Sequence, residues 1–307
     1  MRNKFADVIY EIGKKDNRIC ALVADISPAG SMMNFRKEFP DRFINCGVAE
    51  QSMIGIAAGM ALRGMRPFCY TIATFALYRP FEMIRVDLGY QNLPVTVIGM
   101  GAGVIYSTLG GTHHTMEDVA VASAIPNMTI IAPCDPDEMR LATEWCATKS
   151  QGPVYMRLGK VGEPNLTFKA VDKFEFGKIR ILQKGNDVAL LSYGITVNLA
   201  FKVAKRLESK GQSVSIISCH TIKPLDYNGI EKLLKNHAKV VVLEEHVPHG
   251  GLGSRVKGIA LDIKSASEVK CFSLKDKFIH FYGTHTELLN EHGLSVEKIS
   301  NQLLKKD

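Results

Sequence analysis

The chain has 307 residues, 46% of them hydrophobic and 22% charged, with a formal net charge of +7. That balance suits a globular protein large enough for two cores and argues against extended disorder. The excess of Lys and Arg is spread along the chain with no polybasic run, which argues against nucleic acid as a partner.

The opening MRNKFADVIYEIGKKDNR carries acids and apolar residues at helical period and predicts a helix instead of a leader. Strand-like RICALVAD, FINCGV, PFCYTIATF, PVTVIGMG, MTIIAP and PVYMRLG follow, separated by helical segments such as EQSMIGIAAGMALRG and DPDEMRLATEWCATK. Such alternation predicts a parallel sheet covered by helices. In the second of those helices Asp135 can cap, Pro136 takes the first helical position, and acids fill the first turn. Residues 163–178 hold Gly and Pro, keep neither period, and read as a linker between a first domain, 1–162, and a second, 179–307.

The second domain runs DVALLSYG, TVNLAFKVAKRLESKG, SVSIISCH, NGIEKLLKNH and KVVVLEEH, with FIHFYG as a last strand. Val197, Ala200, Ala204 and Leu207 fall on one face of its first helix, and Gly211 supplies the stop. The fold expected is α/β: two doubly wound domains, each a mainly parallel sheet with helices on both faces. No apolar run reaches the roughly 18 unbroken residues of a membrane span. Seven scattered cysteines, mostly in apolar runs, point to reduced thiols and a cytoplasmic protein.

In an open parallel sheet ligands collect at the carboxyl ends of the strands. Asp25 ends RICALVAD, Glu50 follows FINCGV, Tyr78 follows PFCYTIATF, and His113 lies in the Gly-rich loop after PVTVIGMG. Glu50 stands out, because it opens a helix otherwise built from small and apolar residues. Each residue also has a plain reading. Asp25 and Glu50 could cap helices for about 0.3–1 kcal/mol, Tyr78 could be core, and His113 could sit in an exposed loop. One rim carrying all four favours a site. GMGAGV lacks the third glycine of a dinucleotide fingerprint, since Val104 takes its place. EEHVPHGG, with His246 and His249, reads as a turn at a strand end and not as a metal site.

In their order and spacing, GVAEQSMIGIAAGMALRG, YTIATFALYRPFEMIR, GGTHHTMED and IPNMTIIAPCDPDE resemble the pyrimidine-binding domain of transketolase-like thiamine diphosphate enzymes. EEHVPHGGLGS resembles their C-terminal domain. By that resemblance Glu50 would hydrogen-bond N1′ of the cofactor's aminopyrimidine. Burial at an apolar interface disfavours the charged acid, so that it can share a proton with the weakly basic ring and promote formation of the thiazolium ylid. Tyr78 would stack on the pyrimidine, Phe75 would line the same pocket, and Asp25 would help order it across the interface. His113 would exchange protons with substrate hydroxyls, and Arg157 would hold the substrate's phosphate. Ala29 stands where the family has a serine, which leaves Ser31, two residues on, as a candidate for substrate contact. Leu109 and Gly101 replace an acid and a histidine, so the usual pentose phosphate is not implied.

The family's diphosphate-binding GDG motif and the Asn pair after it do not occur in the chain. Mg²⁺ is held between carboxylates and phosphates, so the resemblance implies an N-terminal transketolase subunit that carries both motifs and the Mg²⁺. The pair would form a heterotetramer and move a two-carbon ketol unit between anionic sugars. Alternatives are the beta subunit of a 2-oxo acid dehydrogenase and a split deoxyxylulose-phosphate synthase, whose arginine at the Tyr78 position is missing. A non-catalytic scaffold subunit is the alternative from a different class.

Overall fold

The apolar runs of the first half become strands in the computed structural model, which describes residues 1–27, 30–160 and 162–305. They are β1 Ile19–Val23, β2 Phe43–Asn45, β3 Arg66–Ile72, β4 Thr96–Met100, β5 Thr129–Ile131 and β6 Val154–Leu158. These six lie parallel in the order β5-β6-β4-β3-β1-β2. β1, β4 and β6 are buried at every residue, as strands covered on both faces must be. Phe5 and Ile9 of the N-terminal helix Arg2–Gly13 pack on one face with Met139 and Ala142 of helix Pro136–Thr148. Met53, Ile54 and Ala57 of helix Glu50–Leu62 pack on the other.

The second half builds β7 Arg180–Gln183, β8 Val188–Ser192, β9 Val214–Ser218, β10 Thr221–Lys223, β11 Lys239–Leu243 and β12 Glu268–Phe272. Five of these form a sheet in the order β12-β11-β8-β9-β7, parallel except for β7. The sixth, β10, pairs antiparallel with β5 and extends the first sheet to seven strands. The two halves therefore share backbone hydrogen bonds as well as side-chain contacts.

Two expectations about elements need correction. PFCYTIATF leaves the sheet after Ile72 and turns into the short helix Ala73–Leu77, which carries Phe75. FIHFYG is not a strand: Phe278 and Tyr282 are exposed, and the ladder beside β11 is already filled in register by Glu268–Phe272. Among the described residues no helix is long and apolar enough to cross a membrane. All seven cysteines are free, and burial pushes the thiols of Cys20, Cys146 and Cys219 up to about 12.

Asp135 shows how the halves are tied. One carboxylate oxygen accepts the Glu138 N–H at 2.9 Å and caps helix Pro136–Thr148. The other accepts Leu166 N–H, Thr167 N–H and the Thr167 hydroxyl, each at 2.8 Å, and pins the connecting segment. The side chain is fully buried. Asp135→Ala is expected to cost about 3 kcal/mol, because four donors lose their acceptor inside the protein. A urea midpoint unchanged from wild type would contradict this.

Candidate active site

The helix Glu50–Leu62 starts just beyond β2, and its first residue is an acid because the unpaired N–H groups of a helix start favour negative charge. Glu50 is only 2% exposed. Its Oε2 accepts a hydrogen bond from Arg79 Nη1 at 2.8 Å, and the other oxygen has no partner among the described residues. The arginine is half-exposed, and its guanidinium lies over the Phe75 ring, 4.6 Å from the centroid. An acid at the edge of a planar cation and an aromatic ring beneath it thus form one layered arrangement.

From Phe75 the contacts continue along the rim. The His113 ring stands edge-on to Phe75 at 5.2 Å and to Tyr106 at 6.1 Å, with Nδ1 2.9 Å from the Thr112 hydroxyl. Lys160 Nζ sits 5.1 Å from the centroid of Tyr106. Glu50, Phe75 and His113 are therefore brought together, the first two through Arg79, and Tyr106 and Lys160 complete the line. Sequence reasoning missed these last three. Lys160 carried a usable signal, since it comes two residues after the end of β6 on the rim where anionic substrates collect. Arg79 comes four residues after Phe75, a spacing that sets two side chains on one helical face.

The other expected residues are placed differently. Tyr78 is half-buried, and its hydroxyl donates to Glu117 Oε2 at 2.9 Å while accepting the Glu117 N–H at 3.2 Å. Burial, with the nearby charges of Asp118 and Glu117, pushes this phenol well above its ordinary range. Asp25 is exposed, its φ of +47° lies in the left-handed region, and its N–H donates to Asn45 Oδ1. The Ser31 hydroxyl donates to Asp7 Oδ1 at 2.5 Å on the N-terminal helix, so it is occupied away from the rim. Ala29 lies outside the described residues.

Arg157 departs most from expectation. It is 2% exposed, with Nε on Asp118 Oδ2 at 2.8 Å and Nη2 on the Glu245 carbonyl at 2.8 Å. Asp118 also accepts from the Tyr155 hydroxyl at 2.9 Å. Burial opposes the guanidinium charge, but Asp118, together with Tyr193, Glu245 and Tyr155, outweighs it and drives the pKa up. An arginine enclosed this way joins the two halves, with Nη1 left without a hydrogen bond among the described residues.

The EEHVPHGG turn does structural work at the end of β11, as its reading as a strand-end turn requires. Glu244 accepts the Leu252 and Gly253 N–H groups and caps helix Leu252–Asp262, and His246 Nε2 accepts the Ala120 N–H. Glu245 reaches into the first half, where Oε1 accepts the Val104 N–H at 2.6 Å and His285 Nε2 lies 3.0 Å away. Gly103 lies directly against this carboxylate: its φ is +75°, and a Cβ there would fall 2.3 Å from Glu245 Oε1. A bridge between Gly103 and Thr115 closes the loop that carries His113. Among the described residues no three His, Cys, Asp or Glu side chains converge as metal ligands.

One face of helix Glu50–Leu62 is bare. Gln51, Ser52, Gly55, Ile56, Gly59 and Leu62 are exposed, and no atom lies within 4 Å of a Cβ built on either glycine.

Two family models match the chain: the transketolase pyrimidine-binding domain over residues 1–162 and the transketolase C-terminal domain over residues 177–299. The chain belongs to the transketolase family. Its similarity to separate subunits of split transketolases runs nearly end to end. One of the subunits of the apulose-4-phosphate transketolase of Phocaeicola vulgatus is 32% identical over 99% of this chain and 96% of its own length. The 6-deoxy-6-sulfo-D-fructose transketolase subunit SqwH of a Clostridium species is 36% identical over 83% of this chain and 78% of its own. A solved structure described as a split gene transketolase, an inactive beta4 tetramer, superposes with a TM-score of 0.86 at 32% identity, covering 98% of this chain and 95% of that one.

The Glu245–His285 pair should leave a signature in stability. Burial raises the pKa of Glu245, but the charge and hydrogen bond of His285, together with the Arg157 charge and the Val104 N–H, outweigh it and leave the carboxyl below its ordinary 4.5. Burial lowers that of His285, and Glu245 reverses this, leaving the imidazole above its ordinary 6.5. The pair's contribution is lost on the acid side as Glu245 protonates and on the alkaline side as His285 loses its proton. His285→Gln should therefore lower Tm by about 2 °C or more between about pH 4.5 and 6.5, and by less at pH 9. A loss independent of pH would contradict the pairing.

Proposed function

We propose that this chain is the subunit of a two-chain transketolase that receives the aminopyrimidine of thiamine diphosphate and the sugar. The assembled enzyme would transfer a two-carbon ketol unit between anionic sugars. Glu50 carries this reading: a buried carboxylate whose partner is a planar cation lying on an aromatic ring. An aminopyrimidine offers the same two features as that guanidinium, a donor edge and a flat face, so the residues fit the ring.

Bound there, the cofactor supplies a carbon nucleophile and an electron sink. Glu50 would hold the N1′ edge, and Arg79 would yield its place on Phe75 to the ring. Phe75 and Tyr78 would bound the pyrimidine, with Tyr78 fixed through Glu117. His113, held edge-on between Phe75 and Tyr106, would exchange protons with substrate hydroxyls. Lys160, exposed at the end of β6, would hold the substrate's anionic group in place of the buried Arg157. Asp25 remains a candidate for ordering the pocket across the interface, whereas Ser31, committed to Asp7, is not assigned a substrate contact.

The second chain would be an N-terminal transketolase subunit with GDG and the Asn pair, carrying Mg²⁺ and the diphosphate in a cytoplasmic heterotetramer. The bare Gly55–Gly59 face beside Glu50 supports this, since small residues let another backbone approach closely. The two relatives act, by name, on a sugar phosphate and a sulfo-sugar. A tetrahedral anion of either kind suits a flexible lysine acting as a point charge.

In the complex reconstituted with its N-terminal subunit, Glu50→Ala should abolish exchange of the cofactor C2 proton, followed by NMR, without changing the circular dichroism of the chain. Retained exchange would overturn the role of Glu50. Lys160→Ala should raise KM for the anionic sugar about 10- to 100-fold and change kcat little. An unchanged KM would return the anion site to another cation. Ketol transfer without acyl transfer to a lipoyl group separates this function from that of a 2-oxo acid dehydrogenase.

A further inference from the structure

A partly open space of about 160 Å³ lies in the second half, between the start of helix Val197–Glu208 and helices His285–His292 and Val296–Leu304. Glu245 and His285 line it, with Lys202, Asn198 and Thr196 beside them. The Glu245 carboxylate is already satisfied by Val104 N–H and His285 Nε2, and it feels the charge of the buried Arg157. Other polar groups around the space lack partners among the described residues. Lys202 pairs with no acid, His285 Nδ1 accepts and donates nothing, and the hydroxyl of Thr196, a residue only 4% exposed, meets no partner. Thr196 ends the 3-10 turn Gly194–Thr196, which runs directly into helix Val197–Glu208, and the Val197 N–H is already bonded to the carbonyls of Gly194 and Ile195.

The buried Thr196 hydroxyl without a partner calls for an occupant, and an ammonium and an imidazole beside it call for a negative one. The space is partly open to solvent and admits a small ion. A tetrahedral ion of five heavy atoms fits.

We propose that this cavity binds a small tetrahedral oxyanion, inorganic phosphate or the phosphate end of a short ester, through Lys202, the Nδ1 side of His285 and the Thr196 hydroxyl. His285 would then bridge two anions, with Nε2–H on Glu245 and Nδ1–H on the ligand. Because Glu245 also holds the Val104 N–H, at the base of the loop that carries His113, occupancy would tighten the active-site loop from the second half.

The test is calorimetric titration of the full-length chain at pH 6.5 with inorganic phosphate and, separately, with glycerol 3-phosphate. One phosphate per chain should bind with Kd of about 1 mM or tighter. Lys202→Ala, on the exposed end of the site, should weaken it at least about tenfold while Tm without ligand stays at the wild-type value. Lys160→Ala, on the rim, should leave this binding unchanged. In NMR of labelled histidine the His285 titration midpoint should rise with phosphate, which a purely structural lysine would not cause. Equal binding of the ester assigns the site to ester ends, and binding of phosphate alone assigns it to the free ion. No binding at about 20 mM phosphate overturns the proposal. So does binding that Lys160→Ala removes or Lys202→Ala leaves intact.

Discussion

The rim that carries Glu50, Phe75 and His113 belongs to the first half of the chain, but its geometry is held by charges from the second. Glu245 accepts the Val104 N–H at the base of the His113 loop, and its own carbonyl accepts Arg157 from the end of β6. Arg157 in turn neutralises Asp118 at the start of the helix that follows the loop. None of these groups reaches water, so each is stable only while the others are in place: a buried ion stripped of its partner costs about 3–5 kcal/mol. That interdependence makes the relative position of the halves part of the site.

Within that frame Glu50 poses a different problem. A carboxylate at 2% exposure needs a counter-charge or a donor, and the chain supplies Arg79 from the turn after the short helix Ala73–Leu77. The arginine is held by only one carboxylate oxygen and by the ring of Phe75, and it is half-exposed, so it can leave at modest cost. Arg157 and Arg79 thus do opposite work. One is enclosed and keeps two halves together, and the other covers an acid at a surface that another chain can reach.

Sequence pattern reached the strands and most helices because the signals were local. Val197, Ala200, Ala204 and Leu207 are all buried along one helix face, and Asp135 caps as its position before Pro136 requires. FIHFYG failed because an alternating apolar run says nothing about whether a sheet edge is free, and β12 had already taken it. The surroundings of Arg157 were not legible for a related reason: residue type at a strand end suggests an anion site, but Asp118, Tyr155 and Glu245, which enclose it here, come from three separate parts of the chain. The cation that stays on the rim is Lys160, two residues past the same strand.

By itself the sequence determined the alternation of strands and helices, the presence of an acid at the head of an apolar helix, and the set of polar residues at strand ends. Each of these depends on neighbours within a few positions. Only the tertiary structure decided which of those residues face a common space and which are consumed by one another. β10 joining the first sheet, Glu245 gripping Val104, and Lys160 lying beside Tyr106 all pair residues far apart along the chain or on different elements. Such contacts depend on how the two sheets pack, and a linear pattern does not carry that information.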